Sequence, residues 1–409
     1  MTRTVAGPRA GRVRLFVLLG PAFVAAIAYV DPGNVAANLT AGARFGYLLV
    51  WVLVAANAMA VLVQYLSAKL GVVTGRSLPE VLGERLPRPA RLAYWVQAEI
   101  VAAATDLAEV IGGAIALHLL FGVPLVLGGI ITGVVSLLVL AVQQRRGQRA
   151  FEGVVTTMLA VLTVGFCAGL FFSPPDPAAM LAGLVPRLAG ADSVLLAASM
   201  LGATVMPHAI YLHSSLARDH LHAPSTSTPR ILRATRIDVV LALVLAGSVN
   251  IAMLLLAAAN LPGREGTDTI EGAHAAIAGT LGPVVGVLFA VGLLASGLAS
   301  TSVGAYAGAE IMSGLLRVRV SLLTRRVVTL LPAIVLLMTG ISPTWLLVVS
   351  QVVLSFGIPF AMIPLVRLTR DRELLGEHRN ALTTQVLAWV VAGVIVALNV
   401  TLLYLTFVG

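Results

Sequence analysis

Apolar residues run along this chain in blocks of about 20, separated by short polar stretches rich in Arg, Pro and Gly. A helix needs about 20 residues to cross the hydrocarbon core of a bilayer. On that measure the pattern predicts eleven spans, at approximately 15–40, 45–70, 92–120, 123–142, 153–172, 193–217, 237–260, 274–314, 326–341, 343–367 and 384–408. Pro and Gly mark several of their ends, as at Pro87 and Pro89, at Pro174, Pro175 and Pro177, and at Gly340 and Pro343. The connections are short, and no soluble domain is expected.

Two spans are interrupted in corresponding places. The first carries Ala28-Tyr29-Val30-Asp31-Pro32-Gly33-Asn34 and the sixth Ala203-Thr204-Val205-Met206-Pro207-His208. Proline lacks the backbone donor and clashes with the preceding turn, so each span should split into two half-helices. Broken backbone at membrane depth is tolerated only where it lines a site. The second interruption falls five spans after the first. Residues 15–172 and 193–367 therefore read as two inverted repeats of five helices, with a tail at 1–14 and an eleventh helix at 384–408.

Composition agrees with a membrane fold: 58% of the 409 residues are hydrophobic and 11% charged, and mean hydropathy is +0.97. That is too much apolar surface for a water-soluble core. The single cysteine, Cys167, excludes an intrachain disulfide and a cysteine metal cluster. The net charge of +9 is dispersed among short loops with no basic stripe, so no nucleic-acid partner is expected. No phosphate-binding glycine loop is present, so no role for ATP is expected, and the chain does not read as an enzyme.

The basic residues set the orientation. With the N-terminus inside, 24 of the 27 Lys and Arg fall in cytoplasmic segments, leaving Arg44, Arg187 and Arg264 outside. Eleven spans then put the C-terminus outside. Arg3, Arg9, Arg12 and Arg14 ahead of an apolar stretch ending in Ala26-Ile27-Ala28 imitate a signal peptide, but cleavage would leave half a first span. The scarcity of Lys beside abundant Arg, Ala and Val suggests a GC-rich bacterium, and hence its inner membrane.

The chemistry at the two breaks suits a cation. Asp31 is an ionisable group at membrane depth, costly unless paired. Asn34 adds an amide oxygen, Met206 a thioether, and Ala28 and Ala203 lie where carbonyls freed by the breaks carry partial negative charge. Sulfur is the informative donor: Ca²⁺ and Mg²⁺ take oxygen, whereas a thioether favours softer transition metals. Asp31 also suits an N-cap for the second half-helix, which is compatible with ligation. A methionine in an apolar span ordinarily only packs, and its place beside a Pro break sets Met206 apart. For His208, a proton carrier and a satisfied polar residue between helices both remain open.

A second constellation lies on the third span. Glu99, Asp106 and Glu109 are seven and three residues apart and share one helix face with Ala102, Ala103, Thr105 and Gly113. Such carboxylates must pair with cations, share protons or line a wet path, and Arg325 and Arg326 at the start of the ninth span are the candidate partners. A static ion pair that fixes packing and a proton relay separate from the metal route are the two readings. Gln351, Asn57 and Asn250 are weaker signals, each explicable as an interhelical hydrogen bond.

The Asp31-Pro32-Gly33-Asn34 and Met206-Pro207-His208 motifs, the eleven spans and the basic interior resemble the Nramp family of divalent-metal transporters, specifically its bacterial proton-dependent manganese branch. The resemblance runs from Gly20-Pro21 to the last span. It implies a LeuT-type inverted-repeat fold and inward movement of Mn²⁺, Fe²⁺ and related ions such as Co²⁺ and Cd²⁺ with protons by alternating access. Carried over, Asp31, Asn34 and Met206 would be side-chain ligands, with Ala203 and Ala28 carbonyls contributing in different states and Gln351 approaching the metal. Asp31 and His208 match residues of proton coupling. Asp106, Glu109, Arg325 and Arg326 match a polar network leading to the cytoplasm, with Glu99 and Thr105 nearby. Met206 argues against the magnesium- and aluminium-transporting relatives. No prosthetic group and a monomer are expected. A LeuT-type symporter of a small organic solute would share the architecture, but its anionic substrate should meet half-helix N-termini with no acid at the site. A metal-gated sensor or channel is the remaining alternative.

Overall fold

The computed structural model describes residues 21–146, 148–219, 227–318 and 322–407. The expected tail at 1–14, the opening of the first span at 15–20 and the end of the last at 408 lie outside the described residues, as does the Arg326 side chain. Among the described residues all regular structure is helical.

The first span is two helices, α1 (Pro21–Ala28) and α2 (Pro32–Phe45). Pro32 opens α2, and Asp31 caps it in extended backbone, accepting the Asn34 N–H at 2.8 Å. The sixth span repeats the break with α9 (Gly190–Thr204) and α10 (Pro207–Asp219). Around these stand α3 (Val50–Thr74), α4 (Leu78–Arg85), α5 (Arg88–Phe121), α6 (Leu125–Arg146), α7 (Gln148–Phe172) and α8 (Pro177–Ala182). The second half continues with α11 (Thr228–Asn260), α12 (Ile270–Leu281), α13 (Pro283–Leu316), α14 (Leu322–Met338) and α15 (Pro343–Leu368), then α16 (Arg372–Leu375) and α17 (Leu382–Phe407).

Each half holds a long helix, a short helix and then a helix of 34 residues: α3, α4 and α5 in one, α11, α12 and α13 in the other. The two 34-residue helices pack on each other more extensively than any other pair. This is a LeuT-type inverted repeat, and the broken helices form its centre: Pro32–Gly42 of α2 and Pro207–Ala217 of α10 are buried throughout. Large apolar side chains such as Phe171, Val244 and Phe407 are exposed at the periphery, where lipid is the natural solvent. Among the described residues seven helices, with α9 and α10 counted together, are long and apolar enough to cross a membrane, and α6, α7 and α14 contain shorter apolar stretches.

The structure departs from the apolar pattern in two ways. The stretch 274–314 is not one helix: Gly282, with φ of 98°, ends α12, and Pro283 begins α13. Apolar residues continue across the joint, so hydropathy alone does not reveal it. Three segments read as loops contain short helices, α4, α8 and α16, each capped by a polar side chain, from Ser77, Asp176 and Asp371.

At the Arg-rich face α4 forms a latch. Ser77 and Glu80 form a capping box, and the same Glu80 carboxylate meets Arg218 of α10 at 2.7 Å. Arg218 also reaches Asp219 at 2.7 Å and Glu310 of α13 at 3.4 Å. Partial burial works to raise the Glu80 pKa, but the Ser77 N–H and the Arg218 guanidinium outweigh it and hold the carboxyl below its ordinary value.

Candidate metal site

A helix carbonyl is normally satisfied by the N–H four residues on, and in both broken helices that partner is a proline. Pro32 follows Ala28 by four residues, and Pro207 follows Ala203 by four. The other carbonyls of the first break find donors. Tyr29 and Val30 N–H close on Ala26 and Ile27. Asn250 of α11 donates to the Tyr29 carbonyl at 2.7 Å, and the Ser296 hydroxyl of α13 donates to that of Val30. The Val35 N–H donates to Asp31 at 3.2 Å. The Ala28 carbonyl is the one left over among the described residues.

In the second break the Ala203 carbonyl accepts the Asn34 side-chain amide at 3.0 Å, which ties the two breaks together. The same amide nitrogen donates to Asp31 Oδ1 at 2.9 Å. From α15, Gln351 Nε2 donates to Asp31 Oδ2 at 3.3 Å. Gly33 makes that approach available, because a Cβ there would overlap the Gln351 amide. Asp31, Asn34, Met206, Ala203 and Gln351 are fully buried, and no ion pair to Asp31 is formed among the described residues.

The unsatisfied groups of this cluster are acceptors. Asn34 Oδ1 and Gln351 Oε1 are buried without a hydrogen-bond donor. Buried polar atoms are normally paired, and two orphaned acceptors beside a carboxylate fit a cation. The Asn34 nitrogen lies where Asp31 Oδ1 and the Ala203 carbonyl converge. A divalent ion at that point would meet both oxygens, and a half-turn of the amide would add Asn34 Oδ1. Among the described residues no cluster of three or more His, Cys, Asp or Glu side chains could hold a metal. The cluster offers one carboxylate with neutral oxygens, and Met206, also buried, lies in the second break three residues after Ala203.

A second polar cluster adjoins the first. The Thr105 hydroxyl donates to the Val101 carbonyl at 3.0 Å, so its oxygen is left to accept from His208 Nδ1, 3.2 Å away. That assigns the proton of a neutral His208 to Nδ1 and leaves Nε2, which has no partner among the described residues, as an acceptor. Asp106 is close enough to His208 to act on it electrostatically. Glu109 is buried one turn further along α5, its carboxylate against Gly304 of α13. Glu99, at the other end of the stripe, forms a two-pronged ion pair with Arg325, both contacts at 3.0 Å, and Arg325 also donates to the Gly308 carbonyl. A side chain at Gly308 would overlap the guanidinium.

Sequence reasoning passed over Ser296 and gave little weight to Asn250, which together satisfy the broken backbone. An isolated polar residue in an apolar helix facing a Pro break was the available signal. The spacing of alanine to proline was a second one, and it selects the Ala28 and Ala203 carbonyls without reference to any ligand.

Residues 22–405 match the profile of the family described as Natural resistance-associated macrophage protein-like, Nramp. The chain is 64% identical over 394 residues to the divalent metal cation transporter MntH of Mycobacterium tuberculosis strain H37Rv, covering 96% of this chain and 92% of that one. It is 45% identical over 405 residues to the MntH of Bacillus subtilis, covering 97% and 95%. Among solved structures, the manganese transporter of Eremococcus coleocola in complex with an aromatic bis-isothiourea compound superposes with a TM-score of 0.85 at 30% identity, over 97% of this chain and 88% of that one. MhsT in complex with L-phenylalanine, at 14% identity and a TM-score of 0.63, shares the fold.

Proposed function

Because this chain belongs to the Nramp family, we propose that Asp31, Asn34 and Met206, with the carbonyls of Ala28 and Ala203 and the amide of Gln351, bind the metal that the protein carries. The protein is a multi-pass membrane transporter of divalent metal cations and not an enzyme. The observation that carries the site is the convergence of Asp31 and the Ala203 carbonyl on one point beside two unpaired amide oxygens. One carboxylate and neutral donors reduce the ion's charge without trapping it, as a carrier requires. The thioether favours Mn²⁺, Fe²⁺ and similar ions over Ca²⁺ and Mg²⁺.

Transport proceeds by alternating access between the repeats 15–172 and 193–367, with the half-helices α1 and α10 swinging as the latch opens. Protons are co-transported. The metal displaces a proton from Asp31, and His208, Asp106, Glu109 and Thr105 carry it towards the cytoplasm past Glu99, Arg325 and Arg326. Support for this route is the Thr105–His208 contact and the closeness of Asp106 to His208. The protein works as a monomer in a bacterial inner membrane without ATP or a prosthetic group, its N-terminus cytoplasmic and its C-terminus outside.

Proteoliposomes with an interior pH dye and an outside-acid gradient test both parts. Mn²⁺ uptake should be lost in Asp31→Asn, and metal-stimulated acidification should fall in Asp106→Asn. Equal Mn²⁺ uptake by wild type and Asp31→Asn would overturn the site, and undiminished acidification in Asp106→Asn would overturn the relay.

A further inference from the structure

Away from the metal site, α3, α11 and α17 enclose a cavity of about 560 Å³. Along α3 its lining follows one helix face, from Ala58 through Val61, Leu62 and Tyr65 to Lys69. At 1.5 Å per residue that face is about 16 Å long, and it changes from apolar to basic along its length. The antiparallel α11 agrees in direction: Arg236 lies at the end near Lys69, and Val239 and Val240 follow it inwards. The two cations sit at the Arg-rich end of the molecule, and the apolar part points towards the middle of the membrane.

Lys69 is the only lysine in a chain with 27 Lys and Arg, so the preference for Arg that governs every other basic position fails here. The residue is 7% exposed, and its one hydrogen bond among the described residues is from the ammonium to the neutral amide oxygen of Asn380, at 3.0 Å. An ammonium has three donors, and burying it without an anion is unfavourable. No carboxylate lines the cavity. The nearest acid along α11, Asp238, accepts the Ala22 N–H at 3.0 Å and so caps α1. A buried cation with spare donors, a second cation beside it and an apolar groove behind them describe a binder of an anion attached to a hydrocarbon chain.

We propose that this cavity binds an anionic phospholipid of the cytoplasmic leaflet. The phosphate lies between Lys69 and Arg236, Tyr65 stands at the level of the glycerol, and an acyl chain follows Val61, Leu62 and Val240. Basic pockets between transmembrane helices on the cytoplasmic side suit such headgroups, each basic residue strengthening binding about fivefold. The lipid would bridge the eleventh helix to α3 and α11.

The test is native mass spectrometry of the intact transporter released from nanodiscs containing equal phosphatidylglycerol and phosphatidylcholine. Wild type should retain phosphatidylglycerol in preference to phosphatidylcholine. Arg236→Gln should retain about fivefold less, and Arg370→Gln, an exposed change outside the cavity, should match wild type. Arg236 is exposed, so its loss is not a folding lesion. Equal retention of the two lipids, or equal phosphatidylglycerol on wild type and Arg236→Gln, would overturn the proposal. Thermal stabilisation of the delipidated protein by millimolar inorganic phosphate as large as that by phosphatidylglycerol would also overturn it, by assigning the cations to a soluble anion.

Discussion

At the scale of single residues, the site is defined by what proline cannot do. Each proline withholds an N–H from the alanine four positions earlier, and neighbouring side chains such as Asn250 and Ser296 supply the other freed carbonyls of the first break. The alanine-to-proline spacing behind that selection was legible in the sequence, as was the placing of Asp31 and Asn34 at the first break. The part played by Gly33 was not, because its importance lies in the space it leaves for a side chain 318 positions away, at Gln351. Gly33→Ala should displace Gln351 from Asp31 and weaken Mn²⁺ binding by about tenfold, the order expected for one lost hydrogen bond to a charged group. Calorimetric titration checks this, and Gln351→Ala should reproduce the effect without adding to it. Met206→Ala should admit Ca²⁺ while keeping part of the Mn²⁺ transport, because the remaining donors are oxygens. Unchanged competition by Ca²⁺ in an Mn²⁺ uptake assay would refute the role given to sulfur.

At the scale of helices, apolar periodicity located the long elements but not the joints within continuous apolar sequence. The stretch 274–314 is divided at Gly282 and Pro283, where turn chemistry rather than hydropathy decides. Likewise α4 was hidden in a polar segment although Ser77-Leu78-Pro79-Glu80 is a capping box with proline in the first turn. The stripe on α5 was visible from its spacing, while the contact of Arg325 with Glu99 depends on Gly308, in a third helix. The latch formed by α4 gives a pH prediction. Since the folded-state pKa of Glu80 is lowered, its contribution is present above the unfolded value of about 4.3 and is lost as pH falls through the folded value. Between about pH 5.5 and 7.5 it is therefore constant. Glu80→Gln should alter the Mn²⁺ uptake rate by less than about fivefold, because the pair is partly exposed. The shape of the pH profile should not change. A shifted midpoint would make the latch, rather than the buried polar cluster, the proton-sensitive element.

At the scale of the whole molecule, the inverted repeat followed from the two corresponding breaks, and the proposed orientation rests on 24 basic residues on one side. A C-terminal alkaline phosphatase fusion should be active outside the cell, whereas the same enzyme fused after Arg379 should be inactive; the reverse pattern would overturn the assigned orientation. The latch and the proposed metal site lie in different media. The Arg218 cluster is partly exposed, with 40% of the Glu80 side chain in contact with solvent, and Asp31 has none of its surface exposed. Mobile ions screen charges in water over about 8 Å at physiological ionic strength but do not enter the buried site. We therefore expect internal salt to tune how fast the carrier turns over while leaving its metal affinity unchanged. Raising potassium chloride inside vesicles should change the maximal rate of Mn²⁺ uptake without changing the half-saturating concentration, so the osmotic history of the cell becomes an input to the speed of metal entry.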